Sequence, residues 1–161
     1  MENQNSKSNR TKLRYKQHLN ASPEEVFPLL CPKREYEWIE HWKCDIIYSE
    51  SGYAEQDCVF TTDFPGEPKQ TWVVDQYEPN RLIQFIRACE SWVVRYRITL
   101  SENEDGTTSA IWEQIIIALD EVGNQYIKTQ TQSAYDTEMQ TLERLLNHYL
   151  ETGKMLMFNE L

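Results

Sequence analysis

The C-terminal stretch from Asn124 to Thr152, closed by Gly153, constrains this chain more than any other. Ala134, Tyr135, Met139, Leu142, Leu145, Leu146, Tyr149 and Leu150 recur at three- and four-residue steps. That is the stripe of a long amphipathic helix with one face meant for burial. No other segment is long enough to be its helical partner, so the stripe requires a sheet. Asn124 is the expected N-cap, and Ser133 offers a second start because the intervening Thr129 and Thr131 are weak helix formers. Gly153 suits the left-handed closing position.

The rest of the chain supplies the sheet. Leu13, Tyr15, Gln17 and Leu19 alternate with Arg14, Lys16 and His18, the period of a half-buried strand. Ser22-Pro23-Glu24-Glu25 then reads as a capping box with proline at the first helical position. Pro28 and Pro32 keep that helix short, and a second short helix is expected over Lys33 to Glu40. From Lys43 the pattern is strand, turn, strand. Ser51-Gly52, Pro65-Gly66, Pro79-Asn80, Cys89-Glu90 and Asp105-Gly106 separate six strands, whose short connections make antiparallel neighbours and hence a meander. The clearest strand carries Trp92, Val94, Tyr96, Ile98 and Leu100 on one face.

Composition narrows the function classes. A net charge of −10 argues against a nucleic-acid backbone or an anionic membrane surface as partner. Cys31, Cys44, Cys58 and Cys89 form no C-x-x-C pair, and His18, His41 and His148 are scattered, so neither a metal site nor a cofactor is expected. No apolar run approaches the ~20 residues of a membrane span. The polar opening MENQNSKSNRTK lacks the apolar centre of a signal peptide. Residues 1–11 therefore read as a disordered tail and residues 12–161 as one domain, in a cytoplasmic protein.

Several local runs carry a family resemblance. They are Ser22-Pro23-Glu24-Glu25-Val26-Phe27-Pro28-Leu29-Leu30, Glu35-x-x-Trp38-x-x-x-Trp42, Ser51-Gly52-x-Ala54-Glu55 and Asn147-His148-Tyr149-Leu150-x-Thr152-Gly153-Lys154. Together with the element order from Leu13 to Lys154, they resemble the START-like, or SRPBCC, superfamily, and in particular bacterial members without a settled activity. The resemblance implies an α+β helix-grip fold, with a curved antiparallel sheet wrapped around the C-terminal helix and a cavity between them. It implies binding of a small apolar or aromatic ligand, lipids included. Polyketide-cyclase-like chemistry and an Hsp90-activator-like interaction role are the alternatives within the same superfamily.

The residues offer candidates for each reading. Trp38 and Trp42, four apart, would form an aromatic mouth with His41 or Glu35 as a polar handle, or would simply pack the short helices onto the sheet. Phe60, Trp72, Val74, Phe85, Trp92, Tyr96 and Ile115 are the expected inward residues, facing Tyr135, Met139 and Leu142 of the helix. Glu113 alternates with Ile111, Ile115 and Ile117. If that face is interior, burial would make Glu113 a proton carrier or ligand anchor; if it is exterior, Trp112, Gln114 and Ile116 point inward instead. Arg87, Arg95 and Arg97 lie on neighbouring strands and would pair with Glu113 or Glu55 across the sheet, or read as ordinary surface cross-strand charges. An enzyme would thus rest on Glu113 or His41, and no hydrolase, phosphate-loop or dinucleotide motif supports one. Met155, Leu156, Met157 and Phe158 are apolar for a free tail. They would either fold back onto the domain or join a homodimer.

Overall fold

Residues 9–161 are described by a computed structural model in which seven strands form one antiparallel sheet. In chain order they are β1 (Arg10–Leu19), β2 (Asp45–Tyr48), β3 (Val59–Thr62), β4 (Gln70–Glu78), β5 (Leu82–Ala88), β6 (Trp92–Glu102) and β7 (Thr108–Ala118). The spatial order is β1-β7-β6-β5-β4-β3-β2. The six-strand meander is as expected, and β1 adds to its far side by pairing with β7 along its whole length. The expected N-terminal tail lies outside the described residues except for Asn9 to Thr11, of which Arg10 and Thr11 already belong to β1.

Between β1 and β2 the chain makes α1 (Pro23–Val26), a 3-10 turn (Phe27–Leu30) and α2 (Pro32–Glu35). The capping box is present: the Glu25 amide donates to Ser22 Oγ at 3.4 Å, and the Ser22 amide donates to Glu25 Oε2 at 3.1 Å. The second helix is shorter than expected. Pro32 starts it and it ends at Glu35, so Trp38 and Trp42 lie on the turns that follow rather than on one helical face.

The C-terminal stripe is divided into α3 (Glu121–Thr129) and α4 (Gln132–Thr152). Asp120, not Asn124, caps α3, its Oδ1 accepting from the Gly123 amide at 2.9 Å. The break falls at the two weak helix formers. Thr129 Oγ1 bonds back to the Tyr126 carbonyl, and Thr131 Oγ1 accepts from the Ala134 amide as the new N-cap, each hydroxyl competing with the helical ladder. Gly153 closes α4 at φ +69°, its amide donating to the Tyr149 carbonyl at 2.7 Å. At 21 residues α4 is roughly 31 Å long.

Tyr135, Met139, Leu145 and Leu146 of α4 are buried against the sheet. The helix is also tied to the free edge of β1. Gln132 receives the Arg14 amide and donates to the Arg14 carbonyl; Glu143 Oε2 accepts from the His18 amide at 2.6 Å. Asn147 accepts from the Asn20 amide and donates to the His18 carbonyl. The tail does fold back: Leu156 is buried in the core and the Phe158 amide donates to Glu40 Oε2 at 2.7 Å, while Met157 and Phe158 keep exposed side chains. Among the described residues no helix is long and apolar enough to cross a membrane.

Candidate functional site

The inner face of the sheet does not meet α4 everywhere. Where β3, β4, β5, β6 and β7 curve away, a cavity of about 570 Å³ remains, roofed by α3, the start of α4 and the turns after α2. All five tryptophans of the chain line it: Trp38, Trp42, Trp72, Trp92 and Trp112. A larger hollow of about 700 Å³ beside Lys16, His18 and Asn103 is an open polar groove without aromatic walls. A ligand pocket is expected to be concave and mostly apolar with a few placed polar groups, so the interior cavity is the candidate.

Its walls are built by strand parity. Phe60 stacks on Trp72 at 5.3 Å, and Phe85 meets both edge-on. Tyr96 packs edge-on against Trp112. On the roof side, Tyr126 of α3 stacks on Trp92 at 3.8 Å with planes 7° apart. Gly123 makes that approach feasible, since a Cβ there would stand 2.1 Å from the Ser91 carbonyl oxygen. The turn tryptophans are fixed by their ring N–H groups, Trp38 donating to the Leu29 carbonyl at 2.9 Å and Trp42 to the Pro32 carbonyl at 2.8 Å. Trp42 also packs against Phe64 of the β3–β4 loop. Gly66, Glu67 and Pro68 of that loop and Glu138 of α4 are exposed lining residues, and they mark where the cavity opens to solvent.

Four charged side chains line this interior: Glu35, Glu67, Arg87 and Glu138. Arg87 alternates with Ile83 and Phe85 on β5 and so points inward, where it is 8% exposed. It donates to Gln70 Oε1 at 2.7 Å and to Gln114 Oε1 at 3.0 Å, and its guanidinium carbon lies 5.4 Å from the centre of the Trp72 ring. Glu35, at the end of α2, is half-buried and lines the cavity. Its carboxyl is walled in by protein and has no hydrogen bond among the described residues, so burial pushes its pKa up to about 8. Glu138 is raised by the same cause, with Arg87 opposing the shift, although its accessible area toward the mouth is larger.

Of the ligand-contacting residues expected from sequence, Trp38, Trp42, Phe60, Trp72, Phe85, Tyr96 and Leu142 line the cavity. Tyr135 and Met139 do not. They lie beneath it, the Tyr135 hydroxyl donating to the Trp112 carbonyl at 3.1 Å and Met139 buried beside the Tyr96 hydroxyl. Glu113 and Ile115 are on the outer face. The pairing of Gln114 with Tyr96 and Trp112 with Ile98 turns Trp112, Gln114 and Ile116 inward, and Glu113 instead faces Lys12 Nζ at 3.5 Å in a half-exposed ion pair. His41 is also outside the cavity: its side chain is 80% exposed, on a left-handed residue at φ 64°, next to Glu40 and Phe158.

The reading of Arg87 as a surface charge is corrected in the opposite direction, and its parity with Phe85 was the available signal. Glu138 could have been found similarly, lying one turn from both Tyr135 and Leu142. The four cysteines are free thiols, two of them buried. No grouping of His, Cys, Asp and Glu able to hold a metal ion occurs among the described residues.

No family model and no curated protein sequence matches this chain. Solved structures do. Norcoclaurine synthase from Thalictrum flavum, a point mutant in complex with a transition-state analogue, matches with a TM-score of 0.67 at 11% identity, covering 91% of this chain and 98% of that one. Ara h 8.0201 matches with a TM-score of 0.57 at 13% identity, covering 89% and 99%. DynU16, from the dynemicin biosynthetic locus, matches with a TM-score of 0.59 at 19% identity; 89% of this chain is covered, which spans about half, 48%, of DynU16. The likeness is one of fold: this chain has the helix-grip fold of these structures, a curved antiparallel sheet around a long C-terminal helix.

Proposed function

We propose that this chain binds a small, largely apolar aromatic molecule in the cavity between sheet and helices. The observation that carries the proposal is the placement of all five tryptophans around one hollow of about 570 Å³. Collapse of such rings onto one another would bury the same apolar surface without leaving space. Here Trp38 and Trp42 are fixed by hydrogen bonds to backbone carbonyls, Trp72 by one to Thr62 Oγ1, and strand parity sets Trp92 and Trp112, so the hollow stays open beside the aromatic wall. The volume suits a ligand of a few fused or linked rings. The absence of paired cysteines among the described residues supports the cytoplasmic setting expected from composition.

The test is native mass spectrometry of freshly purified protein, followed by a thermal-shift screen with polycyclic aromatics, polyketides and fatty acids. A co-purified mass, or a stabilising aromatic whose effect is lost in Trp72→Ala, is the expected result. Stabilisation by none of these classes, with no bound mass, would overturn the proposal.

Acid–base catalysis on the bound molecule is a second reading, favoured by Glu35. A carboxyl with a pKa near the working pH is suited to give and take protons, and this one faces the cavity. Norcoclaurine synthase, an enzyme of the same fold, supports the plausibility of chemistry in such a slot. Turnover that survives Glu35→Gln unchanged would remove this version.

A further inference from the structure

A buried arginine normally faces a carboxylate, because an unpaired charge away from water is costly. Arg87 faces none. Among the described residues it forms no ion pair, and its two hydrogen bonds end on the neutral amide oxygens of Gln70 and Gln114. A guanidinium carries five N–H groups; two are used by those amides, three are not, and Nε is buried without a partner. The amides hold the group in place without neutralising it.

The surroundings repeat this donor surplus. The ring N–H groups of Trp92 and Trp112, both lining residues, are likewise buried and unpartnered. Arg87 is the only Lys or Arg among the lining residues, in a chain whose net charge is −10. Glu138, whose carboxyl feels the charge of Arg87, stands at the mouth and makes no ion pair with it. A cation kept inside an acidic protein, held by neutral partners against an aromatic wall, is a fixed anchor for an incoming negative charge. Its planar fork matches a carboxylate better than a point anion.

We infer that the cavity selects aromatic carboxylates, with the rings against the Trp72 and Tyr96 wall and the carboxylate on the Nη N–H groups of Arg87 that Gln70 and Gln114 leave free. This inference rests on the binding proposal above and narrows its ligand class. It is tested by calorimetric titration with naphthalene-2-carboxylate and its neutral isostere naphthalene-2-carboxamide, at about pH 6.5, where the carboxylate is ionised. The wild-type chain is expected to bind the carboxylate at least about tenfold more tightly than the amide. Arg87→Met should erase that preference while still binding the amide. Arg87→Lys should restore part of it, as a point charge without the fork.

Equal or weaker binding of the carboxylate by the wild-type chain would overturn the inference while leaving the binding proposal standing. Binding of neither probe would remove both. The wild-type comparison does not depend on either variant folding, and a preference retained in a folded Arg87→Met would equally refute the assignment.

Discussion

Replacement of Glu35 by glutamine should make the protein more stable, and increasingly so as the pH rises. In the unfolded chain the Glu35 carboxyl titrates near its ordinary 4.5, and in the folded chain near 8. Below 4.5 both states hold the proton and the group contributes nothing to the pH dependence. Between 4.5 and 8 only the folded state holds it, so each increment of pH draws protons off the unfolded chain alone and costs stability. Above 8 the loss is complete. At about 1.4 kcal/mol for each tenfold change, the displacement corresponds to a ceiling of about 5 kcal/mol. Water entering the cavity would lower this, so a loss of between about 1.5 and 5 kcal/mol is expected. The amide keeps the shape of the side chain and never ionises. Urea denaturation at several pH values, followed by circular dichroism, gives the free energies for both proteins, and their difference removes every titration they share. Glu35→Gln should match the wild type near pH 4 and exceed it by at least about 1.5 kcal/mol at pH 8.5. Parallel stability curves, within about 0.5 kcal/mol across that range, would refute the buried placement of this carboxyl and with it the acid–base reading.

Two further outcomes follow from packing. Gly123→Ala sets a gain in helix propensity of about 1 kcal/mol against a Cβ placed 2.1 Å from the Ser91 carbonyl oxygen. Overpacking should win by about 1–3 kcal/mol, lowering Tm by several degrees, and a rise in Tm would mean that α3 is free to lift off β6. Deleting residues 154–161 removes buried Leu156 and the Phe158–Glu40 bond, so the denaturation midpoint should fall by an amount equal to about 1.5–3 kcal/mol with the mass by light scattering unchanged. A dimer that dissociates on deletion would instead make the tail an interface.

Most of the fold could be read from the chain because its signals are local. The Ser22 capping box, the glycine turns and the alternation of Trp92 to Leu100 each depend on neighbours in sequence. The division of the C-terminal stripe was half visible in Thr129 and Thr131, whose hydroxyls take over the helical bonds at the break. The cavity was harder to read because its lining inverts the usual hydrophobic contrast. On β7 the outer face carries Ile111, Ile115, Ile117 and Leu119 follows beyond the strand end, with Ile117 and Leu119 exposed, while the inner face includes Gln114. Apolarity alone therefore favours the wrong side, and Glu113 followed its aliphatic neighbours. Arg87 failed for the same reason: a charge on a strand is assigned to water unless something shows that the interior is hollow and wants one. That something is the spatial curvature of five strands, which no short window contains.

The side-chain bonds between α4 and β1 have a consequence for the sheet itself. β1 is an edge strand, and a free edge is a template on which another chain can add a strand. Gln132, Glu143 and Asn147 occupy the Arg14, His18 and Asn20 positions that such a strand would use. The helix thus acts as a false eighth strand, sealing the edge with amides and a carboxylate instead of a backbone. It also makes α4 a fixed wall of the cavity, whose mouth lies instead at Gly66, Glu67 and Pro68 of the β3–β4 loop.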